Sequence, residues 1–158
     1  ALAPNFAFAE TKIGIVNFED IINNSPAGKK AKAGLEKMAK STKAALEKDQ
    51  AELKKLQDEI QNKSMGLSED AKRKKVEEFR TKYLDFQRKT QEFQRKLAEE
   101  EKKVLQPIFD TLLRVTQEYG KKHDFTIILE QTNAGVAWAQ DETVITDDIS
   151  KAFEKAWK

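Results

Sequence analysis

The chain contains no cysteine, which excludes disulfides, thiol nucleophiles and thiolate metal sites. Its one histidine, His123, has no second histidine or cysteine to work with, which argues against a transition-metal site and against a Cys-His or Ser-His nucleophile. Apolar runs are short, and none approaches the roughly 20 residues of a membrane-spanning helix. Glycine and proline are scarce as well, at six and three in 158 residues. The polarity of the chain is therefore not that of a flexible linker or a low-complexity coil.

What the chain has in abundance is charge. Asp, Glu, Lys and Arg make up 35% of it, against 39% hydrophobic residues, and its mean hydropathy is −0.73. That apolar content fills one small core, whereas so many charges need a large solvated surface. An elongated chain satisfies both. The net charge of +2 hides a segregation: residues 26–106 hold 22 Lys/Arg against 15 Asp/Glu, a surplus of +7, and the remainder holds 7 against 12, or −5.

Lys12 to Phe18 reads as a short apolar, β-branched strand, followed by one or two helical turns over Glu19 to Asn23. Ser25-Pro26 is a helix start. Serine caps the first free N–H groups, and proline at the first helical position gives up no hydrogen bond. The helix that follows reaches about Lys63. Ala39, Leu46, Leu53, Ile60 and Leu67 recur along it every seven residues, with Thr42, Asp49, Leu56 and Lys63 as a weaker second series. Gly66 interrupts the pattern, and Ser68 caps a second helix with Glu69 and Asp70 at its positive end.

On that second helix Val76, Phe79, Tyr83, Phe86, Thr90, Phe93 and Leu97 keep an unbroken 3-4 spacing, a stripe that demands a partner helix. The short break makes the first helix that partner, so residues 26–106 are expected to form an antiparallel hairpin with its tip near 62–70. Arms of about 40 residues would extend roughly 60 Å. The rhythm then shifts to Val104, Ile108, Leu112, Val115 and Tyr119, with a kink expected at Pro107. Phe125–Glu130 reads as a strand, Asn133-Ala-Gly135 as a turn and Val136–Gln140 as another strand. A last amphipathic helix, capped from Thr146 to Asp148, carries Ile149, Ala152, Phe153, Ala156 and Trp157. The expected fold is thus mainly α, with a long antiparallel coiled-coil hairpin and a small β body from residues 12–25 and 107–158. Three short strands make a meagre core alone, which favours oligomerisation through the body. Residues 1–11 form an extension ending in Ala7-Phe8-Ala9, either the tail of a secretory signal or sequence left over from cloning.

Catalysis has no candidate. Ser25-Pro-Ala-Gly28-Lys29-Lys30 lacks the first glycine and the Ser/Thr of a phosphate loop. His123 reads as an ordinary edge residue. The acidic pairs Glu19-Asp20, Asp141-Glu142 and Asp147-Asp148 have no apolar surroundings to retune them. One charge run stands out: Lys72-Arg73-Lys74-Lys75, beside the hairpin tip. It is either a solvated face supported by Glu77 and Glu78 or a grip on acidic protein or anionic lipid. The aromatics sit in the heptad stripe and are not interleaved with the cations, which argues against nucleic acid. Apolar residues off the seam, Met65, Leu67 and Leu84, are either loose packing at a hairpin end or an adaptable surface for unfolded chains.

Lys12-Ile-Gly-Ile-Val-Asn-Phe18, Asp20-Ile-Ile, Ser25-Pro-Ala-Gly-Lys29, Leu35-Glu36, Phe125-Thr-Ile-Ile-Leu-Glu130 and Val144-Ile-Thr-Asp-Asp-Ile149 resemble, in order, the motifs of the Skp/OmpH family. The likeness runs from about residue 12 to the end. It implies a homotrimer with a β-rich body and three helical tentacles around a cavity. It also implies an ATP-independent periplasmic chaperone, without cofactor, that holds unfolded outer-membrane β-barrel proteins. Lys72 to Lys75 match by position the basic tentacle tip associated with membrane or lipopolysaccharide contact. Asn17 departs from the family pattern, which often has Asp there. The competing expectation, from the hairpin alone, is a structural or adaptor protein that docks one folded partner.

Overall fold

The computed structural model describes residues 11–62 and 66–157. In chain order these form β1 (Ile13–Val16), α1 (Phe18–Asn24), α2 (Pro26–Asn62), α3 (Glu69–Lys122), β2 (Ile127–Glu130), a 3-10 turn (Asp141–Thr143) and α4 (Thr146–Ala156). The fold is mainly α with a small sheet, and it divides into two compact units. Residues 32–103 make one, and the chain on either side makes the other.

In the mixed unit β1 and β2 pair in parallel, Ile13 opposite Ile127 through Val16 opposite Glu130. A parallel pair cannot be closed by a tight turn, and here everything between the two strands serves as the crossover. The other edge of β1 is taken by Val144, bridged to Ile15, with the Ile145 N–H donating to the Ile15 carbonyl at 2.8 Å. This overturns the expected strand at Val136–Gln140, which is irregular. Both edges of β1 are already occupied by β2 and Val144, and the Val136 N–H turns back to the Gln131 carbonyl. Gly135 makes that reversal at φ 64°, a left-handed conformation that costs glycine little.

Local chemistry sets the helix starts. Asn17 caps α1, its side chain accepting from the Asp20 N–H at 2.9 Å, so it does here what an aspartate would do. Buried Ser25 accepts from the Gly28 N–H at 3.1 Å, with Pro26 as the first helical residue. Gly28 lies against the Ile22 carbonyl, where an added Cβ would overlap; close packing of α1 on α2 accounts for this glycine. At α4 the expectation shifts by one place. Thr146 is the first helical residue, and its hydroxyl instead accepts from the Asn17 N–H, tying α4 to the end of β1. α3 continues through Pro107 to Lys122, although proline leaves the carbonyl one turn earlier without its usual donor.

One face of α3 (Ile108, Leu112, Val115) closes the core against Val16, Ile21, Ile22, Ile145, Ile149 and Phe153. Leu112 and Ile149 are fully buried. Burial of each such side chain contributes about 1.5–3 kcal/mol.

Candidate functional site

The second unit is a pair of helical segments whose seam closes only in part. Leu53 and Leu56 are its best-covered residues, each 8% exposed. Leu46, Ile60, Phe79, Phe86, Phe93 and Leu97 are half-buried. Val76 and Tyr83, expected inside the stripe, stand out at 49% and 44% exposed. Both belong to the same heptad position, yet Thr90 and Leu97, which share it, are half-buried, so coverage of that position varies along the helix pair. Conversely, Leu56, from the weaker series, is among the most buried.

The two flanks of this seam differ in chemistry. On one, Lys75 meets Glu59 at 2.6 Å, Lys82 meets Glu52 at 3.2 Å and Lys89 meets Asp49 at 2.8 Å, each across the helix pair. Lys89 also contacts Asp85, and its hydrogen bonds to Asp49 and Asp85 raise its pKa above the usual lysine value. On this flank Met38, Thr42, Ala45 and Leu46 also face Phe93 across an open cleft of about 310 Å³. On the other flank Leu53, Phe79, Tyr83 and Phe86 floor an open groove of about 660 Å³, bordered by Gln50, Gln57, Glu47 and Lys54. The Phe79 and Tyr83 rings lie 6.0 Å apart and nearly parallel, at 13°.

The basic run is largely engaged. Lys72 pairs with Glu69 and Arg73 with Asp70, both at 2.9 Å, and Lys75 reaches Glu59 across the seam. Glu77 and Glu78 are not the partners: acids one turn before the run, or on the facing helix, are better placed to meet it. Glu78 instead reaches Lys82. Among the described residues Lys74 alone of the four has no ion pair. Hydrogen bonding to Lys72, backed by its charge, lowers the Glu69 carboxyl below its ordinary value. Leu84 is exposed at 55% and lies outside the groove, Leu67 is half-buried, and Met65 falls outside the described residues.

Among the described residues no group of three or more His, Cys, Asp and Glu is placed to hold a metal, and no helix is long and apolar enough to cross a membrane. His123 stacks on Tyr119, with centroids 4.1 Å apart. Tyr119 donates to Asp148 at 3.0 Å; burial, then Asp148, pushes its hydroxyl pKa above the usual value.

Residues 12–153 match the family model described as outer membrane protein (OmpH-like). The chain belongs to the OmpH-like family. The matched span takes in both units and excludes the N-terminal extension. Among solved structures, a chain from Caulobacter crescentus CB15 assigned as an OmpH-like outer membrane chaperone superposes with a TM-score of 0.76 at 20% identity. The superposition covers 98% of this chain and 90% of that one. At that identity the likeness speaks for the fold. Curated proteins give no match.

Two features of this family member escaped the reading of its sequence. The cross-seam ladder was legible in part: Glu59 with Lys75 and Glu52 with Lys82 step seven residues back on α2 and seven forward on α3, as antiparallel helices require. Trp138, 79% exposed, carried no such signal, because its segment was expected to form a strand.

Proposed function

We propose that this chain is an ATP-independent holding chaperone of the periplasm that binds unfolded outer-membrane β-barrel proteins and keeps them from aggregating. The observation that carries the reading is the half-open seam of the helical unit. Apolar rings are offered to solvent along a helix pair whose remaining surface is dense with charge. Such a surface holds a chain by many weak contacts, and its open clefts suit varied clients. Membership of the OmpH-like family and the fold shared with a chain assigned as an outer membrane chaperone support the same reading.

In this proposal residues 12–25 and 107–158 form the body that joins three copies, and residues 26–106 form the arm that meets the client. Exposed Ile13, Phe109, Leu113, Ile127, Trp138 and Val144 in the mixed unit support association, since such residues are costly to leave in water. The basic run, with Lys74 its least engaged member, supplies attraction to acidic segments or to anionic lipid and lipopolysaccharide. Release follows from the client's own folding or from transfer to a tighter-binding destination, since a bound state yields only to a better one. The test is dilution of a denatured outer-membrane β-barrel protein with and without this chain, free of nucleotide, followed by light scattering. Suppression near three chains per client is expected; aggregation unchanged by folded protein would overturn the role.

A further inference from the structure

We infer that the groove beside the seam binds its clients as extended strands, taking two apolar side chains from alternate positions of one segment. This deepens the holding role proposed above and rests on it. Phe79 and Tyr83 present rings 6.0 Å apart in near-parallel planes. Residues i and i+2 of an extended chain stand about 6.6–6.8 Å apart on one face, so consecutive same-face side chains meet consecutive rings. Aromatic side chains gain most, because an offset stack adds to the area they bury.

The groove's border selects the backbone. Gln50 and Gln57 are exposed at its edge, and each amide offers both donors and an acceptor. An extended client has free N–H and C=O groups to bond with them, whereas a docked helix has satisfied its own. Along α2, Glu47 to Gln57 covers roughly 15 Å at the helical rise, the length of four or five extended residues. Glu47 and Lys54 carry opposite charges on the same border, so the lining carries no net charge and favours a neutral segment. The opposite flank is laddered with Lys75–Glu59 and Lys82–Glu52, and its cleft beside Met38 and Leu46 offers one aromatic ring, Phe93, rather than a pair. Segments that alternate apolar and polar residues are what transmembrane β-strands supply before they fold.

The test uses two labelled peptides of identical composition. One has phenylalanine at alternate positions among serine and threonine; the other carries the same residues at i, i+3, i+4 and i+7. Binding to the full chain is read by fluorescence anisotropy. The alternating peptide is expected to bind about tenfold more tightly than its rearranged twin, and Tyr83→Ala to lose about that factor, as one aromatic contact predicts. Phe79→Leu, which keeps the seam filled, should lose severalfold, and Leu84→Ser, equally exposed but outside the groove, should lose nothing. Circular dichroism checks that each variant keeps its helix content. Equal binding of the two peptides overturns the inference. So does unchanged affinity in both ring variants, or an equal loss in Leu84→Ser. Aggregation suppression, measured in parallel, separates the two claims: suppression without peptide discrimination sinks the groove alone, and no suppression by the unaltered chain sinks the holding role.

Discussion

In the mixed unit Phe153, Leu112 and Ile149 are at most 1% exposed, whereas in the helical unit the best-covered residues, Leu53 and Leu56, keep 8% and Tyr83 keeps 44%. One helix, α3, contributes to both units. α3 buries Ile108, Leu112 and Val115 in one and only half-buries Phe79, Phe86 and Phe93 in the other. The difference lies in how many elements surround each stretch. In the mixed unit α1, α4 and β1 enclose the α3 face; in the helical unit a single helix must cover a stripe of aromatics. One region is therefore packed to a unique arrangement, and the other is left able to accept further partners.

The comparison is tested most strongly by deletion. Leu112→Ala removes a fully buried side chain where neighbours on several elements prevent collapse, and should cost about 2–5 kcal/mol. Leu53→Ala, in a seam free to close, should cost about 2 kcal/mol or less. Urea denaturation measures both, and equal losses would break the contrast. Two glycines sharpen it next. Gly28→Ala drives a methyl group into the Ile22 carbonyl and should destabilise by about 1–3 kcal/mol. Gly34→Ala, with nothing within 4 Å, should stabilise by about 0.4–1 kcal/mol through better helix propensity and a less flexible unfolded chain. Thermal melts of the two variants should shift in opposite directions.

Reversing the charge of Lys72, Arg73, Lys74 and Lys75 together should weaken client binding severalfold at low ionic strength and much less at high salt. An affinity indifferent to salt in both proteins would remove the run from the function. The smallest effect is on pH dependence. The carboxyls of Glu69, Asp85 and Glu92, all in the helical unit, are lowered by hydrogen bonds first to Lys72, Arg88 and Lys96 respectively. Their contribution is present above the ordinary carboxylate range and is lost as pH falls through the folded values. Tyr119, in the mixed unit, is raised, so its contribution is present below its ordinary value of 10.0 and is lost as pH rises through the folded one. Acid should therefore loosen the helical unit first, and strong alkali the mixed one. Helicity followed by circular dichroism, together with Trp138 and Trp157 fluorescence from the mixed unit, separates the two. Loss of both signals at the same acid pH would contradict it.

Much of the fold was legible because its signals are local. Ser25-Pro26 and Ser68 start helices through groups within three residues of the hydrogen bonds they make, and the heptads of α2 and α3 record their antiparallel pairing residue by residue. Within the candidate site Phe79, Phe86 and Phe93 could be named as seam residues for that reason. What failed to show was every property set by a distant neighbour. Val136–Gln140 has the composition of a strand, yet β1 had given its second edge to Val144. Val76 and Tyr83 share the stripe of Phe79, yet they stand exposed while Leu97, at their own heptad position, is half-buried.

The sequence by itself determined the helical hairpin, the family, and the lack of cysteine and paired histidine on which much catalytic chemistry depends. These follow from residue type and period alone. The tertiary structure alone decided which flank of the seam carries the cross-helix ion pairs and which carries the aromatic groove, because that depends on how far one helix is rotated against the other. It also decided that the second edge of β1 belongs to a residue 129 positions away, Val144 against Ile15. Strand pairing is a contest between distant segments for a few free N–H and C=O groups, and no local pattern records its outcome.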